Sequence, residues 1–192
     1  MAILHQATLT PSKDELVQAW LKRQPWAADQ HQRTPLGAFR LDDPDGEVGI
    51  ECFLYGGAGV DTVFVPLTYR AAPLSGAEDH LLGTMEHSVL GTRWVYDAPA
   101  DPVFAATVAG VVRDGGTEAT LEVHAADGTT TVREPTAFAH GVDGAGLLDG
   151  AQPHLVRVIG TGAAEGPRLE GGLVGDRAVT LVGFSPASVA AG

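Results

Sequence analysis

The sequence predicts an α+β protein in which a short amphipathic helix packs across a run of antiparallel strands. Three observations carry that prediction. A helix-start tetrad stands at residues 12–15, period-two alternation sets in from residue 36, and turn residues separate the alternating runs at short intervals. Strands joined by tight turns pair antiparallel, and a helix can cover one face of the sheet they make.

The elements follow in chain order. Ala2 to Thr10 alternates loosely and reads as a first strand. Ser12-Lys13-Asp14-Glu15 has the form of a capping box, in which the Ser12 hydroxyl accepts from the Glu15 amide and the Glu15 carboxylate reaches back. Its two acidic residues also suit the positive end of the helix dipole. Leu16, Val17, Trp20 and Leu21 share one helical face. Pro25 ends the helix, because the residue before a proline avoids helical angles.

From Leu36 the period is two, and a strand runs to Leu41 and the turn chemistry of Asp42 to Gly46. Val48, Ile50, Cys52 and Leu54 then line one face of a strand, with Glu51, Phe53 and Tyr55 on the other. Val63, Val65, Leu67 and Tyr69 make the next strand, in which Pro66 marks an edge or a bulge. Residues 71 to 83 show no sustained period and read as a loop or short helical turn. Thr92, Trp94 and Tyr96 alternate along a strand with a large aromatic face.

Asp101-Pro102 starts a second helix, with the carboxylate as cap and proline at the first helical position, and Gly115-Gly116 stops it. The remainder is β-rich. Residues 119–123 and 129–133 flank an Asp127-Gly128 hairpin turn, and strands follow at 155–159, 168–174 and 178–184. The tail from Ser185 is expected to fray.

A chain of 192 residues can bury a core as one domain, here divided into residues 1–115 and a β-rich extension over 116–192. Hydrophobic residues at 44% and charged residues at 19% fit a globular chain rather than a disordered one. The single cysteine, Cys52, alternates with Ile50 and Leu54, which predicts a buried thiol and a reducing compartment. The amino terminus lacks a basic stretch followed by an apolar one, and the longest apolar run, Val103 to Val112, is too short to span a bilayer. Both features predict a cytoplasmic protein. Twelve basic against 24 acidic residues give a formal charge of −12 without a basic cluster, which argues against nucleic acid and anionic membranes as partners.

The run EHSVLGTRWVYDAPADPV (Glu86 to Val103), preceded by VPLTYRAAPL (Val65 to Leu74), resembles the N-terminal cap domain of actinobacterial maltokinases and related sugar kinases. The resemblance covers residues 1 to 115. It implies a curved antiparallel sheet around a helix, with a cystatin-like topology, and a non-catalytic module standing without its kinase domain. Phosphoryl transfer in such kinases needs an H-x-D-x-x-x-x-N loop and a basic residue on the phosphates. None of the seven histidines is followed by Asp two residues later, and no lysine follows Lys22. Residues 168–184 faintly resemble the hairpin that opens the nucleotide-binding lobe, but Leu181 or Val182 stands where a lysine would. No cofactor, metal or catalytic residue is therefore expected. The implied partner is a sugar kinase or another enzyme of carbohydrate metabolism.

Three local features compete with that reading. Glu86-His87, with Asp79-His80 seven residues earlier, can supply an acid and a base, or can fix a turn; no H-x-H or H-x-x-x-H spacing accompanies it to hold a metal. Arg93, Trp94 and Tyr96 can form a stacking surface for a sugar or a partner's side chain. Alternatively, Trp94 and Tyr96 face the core and Arg93 pairs with Asp97 or Asp101. Val158 to Gly166 superficially suggests a dinucleotide turn, but its G-x-G-x-x-x-G spacing and Pro167 favour a hairpin loop. The open functions are thus a cap-like binding or regulatory module, a sugar-like ligand binder using the concave sheet face, and a small enzyme built on Glu86 and His87.

Overall fold

A six-stranded antiparallel sheet forms the middle of the molecule in the computed structural model, which describes residues 2–5, 7–27, 32–124, 129–147, 150–162 and 165–185. Its strands are β2 (Leu9–Thr10), β3 (Thr34–Leu41), β4 (Gly49–Gly57), β5 (Val60–Arg70), β6 (Leu81–His87) and β7 (Gly91–Asp97), in the order β2-β6-β7-β5-β4-β3. The sheet curls into a half-barrel, and with its two helices the protein is α+β. A three-stranded sheet joins β1 (Ala2–His5), β8 (Leu121–His124) and β9 (Thr130–Arg133). A four-stranded sheet has the order β10-β12-β13-β11, from Ala137–Val142, Arg168–Leu173, Val179–Ser185 and Gln152–Leu155.

Both helices begin where their caps require. In α1 (Lys13–Leu21) the Ser12 hydroxyl accepts from the Glu15 amide at 3.2 Å, while the Glu15 carboxylate accepts from the Ser12 amide at 2.8 Å. Donation from the Ser12 amide, and then from the Ser12 hydroxyl at 2.9 Å, also holds the Glu15 carboxyl below its ordinary pKa. In α2 (Pro102–Asp114) the Asp101 carboxylate accepts from the Val103 amide at 3.0 Å. Gly115 closes this helix at φ 60°, a left-handed position that suits glycine, and the Gly116 amide returns to the Val111 carbonyl.

The central strands are buried on both faces, because Cys52 to Tyr55 and Val63 to Leu67 are continuous apolar runs. Phe53, Tyr55, Val63, Val65 and Leu67 pack with Val17, Trp20 and Leu21 of α1. The intervening Phe39, Ile50, Cys52, Leu54 and Phe64 pack on the other side with Phe104, Val108 and Val112 of α2 and with Ala139, Leu169 and Leu181 of the four-stranded sheet. The second core therefore crosses residue 115, and β10, β12 and β13 close a core that the earlier strands begin. Cys52 is buried and unpaired, and burial pushes its thiol well up from its ordinary range. The close approach of β10 to α2 depends on Gly141, where an added Cβ would lie 2.3 Å from the Val111 carbonyl oxygen.

Pro66 pairs opposite Cys52 within β5, an internal strand. It is tolerated because β5 has a local gap on its second edge. The Phe64 amide donates to the Arg157 carbonyl, and the ladder to β7 starts at Leu67. Successive amides alternate in direction, so the missing N–H of Pro66 falls between these two partners.

Several elements differ from the sequence reading. The stretch expected as one first strand is divided between two sheets: β2 pairs antiparallel with β6, whereas β1 pairs parallel with β8. The expected loop ends early, for β6 begins at Leu81. A register shift between Leu81 and Gly83 interrupts the alternation that would have revealed it. The strand expected at 155–159 is displaced to Gln152–Leu155, and residues 157–159 instead line the edge of β5. The glycine-rich stretch after Val158 is not a hairpin loop either, because it connects β11 to β12, which are separated by β13. The expected Asp127-Gly128 turn and the tail beyond Ser185 lie outside the described residues.

Candidate functional site

Glu86 and His87 end β6, and as neighbours on a strand they point to opposite faces of the sheet. The His87 Nδ1 accepts hydrogen bonds from the amides of Val89 at 3.2 Å and Leu90 at 3.1 Å. That nitrogen therefore organises the β6–β7 turn. Glu86 accepts from the Thr92 hydroxyl at 2.8 Å across the same hairpin, and the Arg93 guanidinium donates to the Leu90 carbonyl at 2.9 Å. The turn carries two exposed apolar side chains, Val89 and Leu90, at 56% and 46% exposure. The structure thus brings Glu86, His87 and Arg93 together as braces of one hairpin rather than as a convergent acid and base. Asp79-His80 lies apart from them, in a single helical turn over Glu78–His80.

Along β7 the aromatic residues divide. Tyr96 is buried, and its hydroxyl accepts from the Leu74 amide at 2.8 Å, tying down the loop that follows β5. Trp94 is half-buried, opposite Arg70 on β5 and Thr84 on β6. It is neither a core residue nor a free stacking platform. The expected pairing of Arg93 with Asp97 or Asp101 does not form, because other arginines occupy both carboxylates. Arg157 donates to Asp97 at 2.5 and 2.7 Å, and Arg70 donates to both oxygens of Asp101 at 2.7 Å.

Residues 20–101 match the family model of the maltokinase N-terminal cap domain. The chain carries a maltokinase N-terminal cap-like segment. The match covers less than half of the chain, starts inside α1 and stops at the residue that caps α2. It is narrower than the 1–115 span expected from the sequence. No curated protein matches the chain.

The cap-like segment and the later residues are bound to each other by Arg157. Besides gripping Asp97, its guanidinium lies 5.5 Å from the ring centre of Trp20 and 5.1 Å from that of Trp26. The two indoles themselves meet edge to face at 5.5 Å. Sequence spacing could not reveal this contact, since Arg157 is sixty residues from Asp97.

A cavity of ≈ 740 Å³ opens on the α1 face of the curled sheet, beyond the first turn of that helix. Lys13, Arg40, Glu51, Tyr69, His87 and Arg93 contribute to its wall. Lys13 pairs with Glu51 and lies 5.2 Å from the ring centre of Tyr69. Glu86, Trp94 and Tyr96 are not part of this wall. Of the residues singled out from the sequence, only His87 and Arg93 reach it. Arg40 and Tyr69 were missed because each sits on an ordinary alternating strand; Tyr69 reaches the site through the pairing of β5 with β7, and the curl of the sheet brings Arg40 of β3 to the same cavity.

Among the described residues no group of three or more His, Cys, Asp or Glu is placed to hold a metal ion. Among the described residues no helix is long and apolar enough to cross a membrane. Residues 168–184 form the β12–β13 hairpin, in which Leu181 and Val182 are fully buried in the core.

Proposed function

We propose that the protein is a non-catalytic module of the maltokinase-cap type that works in the cytoplasm by docking on an enzyme of carbohydrate metabolism, a sugar kinase first among them. The observation that carries this reading is the β6–β7 hairpin. Its candidate acid and base are separated by the sheet, its imidazole Nδ1 accepts from two turn amides, and the tip so braced presents Val89 and Leu90 to solvent. A rigid apolar tip is suited to a partner's groove, since little ordering entropy is lost when it docks. The matched segment includes this hairpin.

The test has two parts. Calorimetry with ATP and Mg²⁺, in the presence of maltose, glucose or glucosamine, should show no binding, and the purified protein should form no sugar phosphate. Any sugar phosphate formed by the protein alone overturns the non-catalytic reading. The docking part is tested by co-elution with the sugar kinase of the same organism, where Val89→Asp with Leu90→Asp should abolish the complex. Unchanged co-elution of that variant rejects the hairpin tip as the contact.

A second reading, a binder of small sugar-like ligands, is favoured by one observation: the cavity on the α1 face of the sheet has the size of a small-molecule site.

A further inference from the structure

The cavity beside the start of α1 holds an unusual concentration of unmet hydrogen-bond donors. Five buried side-chain polar atoms lack a hydrogen-bond partner among the described residues, and three of them, Arg40 Nε, Tyr69 Oη and Arg93 Nε, belong to residues of this one wall. The other two are threonine hydroxyls outside the cavity. Buried donors are nearly always satisfied in folded proteins, so three together call for an acceptor that enters the site. Guanidinium Nε–H groups with their neighbouring Nη–H groups match a planar oxyanion edge-on. The Tyr69 hydroxyl stands near Glu51 without meeting it in hydrogen-bond geometry. Burial first, and then the Glu51 charge, raises its pKa well above the ordinary value, so it remains a neutral O–H donor.

The acidic residues of the wall narrow the ligand. Glu51 is engaged by Lys13, and Asp43 accepts from the amides of Asp45, Glu47 and Val48 in its own loop. Asp42 and the exposed Glu47 also line the cavity at this same loop, so four carboxylates of the wall stand against the three cations Lys13, Arg40 and Arg93. A dianionic phosphate would meet twice the repulsion of a monoanion from these carboxylates and from the formal charge of −12. A single carboxylate meets less, and hydroxyl groups on the same molecule can donate to the acidic side. Leu9 and Met85 supply apolar surface for the carbon skeleton.

We propose that this cavity binds a small hydroxylated carboxylate, a sugar-acid-like molecule, with its carboxylate held by Arg40 and Arg93 and its hydroxyls turned toward the acidic loop. The assignment rests on the second reading above and gives it a ligand class. It is a separate claim from docking through the hairpin tip, although His87, Leu90 and Arg93 belong to both the hairpin and the cavity wall.

Calorimetry on the full chain with gluconate and glucuronate tests it, with glucose, inorganic phosphate and glucose 6-phosphate as comparison probes. Saturable binding of at least one sugar acid is expected, weakened about tenfold or more by Arg40→Gln and by Arg93→Gln. Tyr69→Phe removes one hydroxyl and little volume, and should weaken binding in the same direction if either arginine variant fails to fold. No saturation by any sugar acid up to about 10 mM, a range that reaches millimolar affinities, overturns the proposal. So does affinity unchanged in the folded variants. Glucose binding as tightly as glucuronate overturns the carboxylate assignment while leaving the small-ligand reading standing, and tighter binding of either phosphate probe does the same. Silence of all five probes counts against both.

Discussion

Replacing Arg70 by Met should cost about 3–5 kcal/mol, the amount associated with orphaning one partner of a buried ion pair. Asp101 is 0% exposed, and Arg70 meets both of its oxygens at 2.7 Å. Once Arg70 is removed, the Val103 amide remains as a donor to a charge that water cannot reach. The reverse change is milder for the partner left behind, since the Arg70 side chain is 22% exposed and can hydrate. The pH dependence supplies a second arm. Burial raises the Asp101 pKa, but the Arg70 hydrogen bonds and the Val103 amide outweigh it and leave the carboxyl below its ordinary value. A depressed folded-state pKa means the stabilisation is present above the ordinary value of about 3.9 and is lost as pH falls through the folded pKa. Without Arg70 the burial effect dominates, so the variant's carboxyl is pushed up and its penalty is relieved by protonation. The difference between the two proteins should therefore shrink as pH falls from 7 toward 3. Urea unfolding followed by tryptophan fluorescence measures both effects. A loss below about 1 kcal/mol at pH 7, the range of an exposed surface pair, or a difference that does not vary with pH, would refute the reasoning.

Other variants probe the remaining contacts. Arg157→Ala should cost about 3 kcal/mol or more, because it orphans Asp97 and removes the cation between Trp20 and Trp26, and Arg157→Lys should restore only part of this; full restoration by lysine would mean that the guanidinium fork is irrelevant. Trp94→Ala should cost about 2 kcal/mol, less than the 3–5 of a fully buried tryptophan, and a larger loss in thermal unfolding would show that the indole is better covered than the structure places it. His87→Ala should cost about 1–2 kcal/mol by releasing two turn amides, with greater amide hydrogen exchange confined to the β6–β7 tip. Ser12→Ala should cost about 0.5–2 kcal/mol through the lost cap, and an unchanged unfolding midpoint would contradict the start of α1.

The sequence displays what local chemistry decides. Ser12 with Glu15, and Asp101 with Pro102, place both helix starts, because a cap is a contact within three residues. Alternation through Ile50, Cys52 and Leu54 places β4 and its inward faces for the same reason. What stays hidden is whatever the chain brings together over long separations. The partners of Asp97 and Asp101 are arginines at 157 and 70, not the nearby Arg93. The parallel pairing of β1 with β8 joins residues more than a hundred positions apart. At the candidate site, the Glu86-His87 pair is visible as a polar dipeptide, but only hydrogen-bond geometry shows the imidazole accepting turn amides. Of the donors of the cavity wall only Arg93 is singled out by the sequence; Arg40 and Tyr69 are legible neither by motif nor by spacing, since the three come from three strands.

The two-sided burial of β4 has a consequence for how this chain can change length. Side chains along a strand alternate strictly, so inserting or deleting one residue rotates everything beyond it to the opposite side. In most sheets such a slip exchanges a core face for a wet one, and an insertion at the wet edge can be absorbed. Here it would drive Phe53 and Tyr55 into the space shaped for Cys52 and Leu54, and small side chains into the space shaped for aromatic ones. Neither side offers slack, and the partner strands on both flanks fix the pairing as well. Length variation should therefore be confined to the loops at 42–48 and 71–80, while β4 tolerates replacement of side chains but not a change in their number.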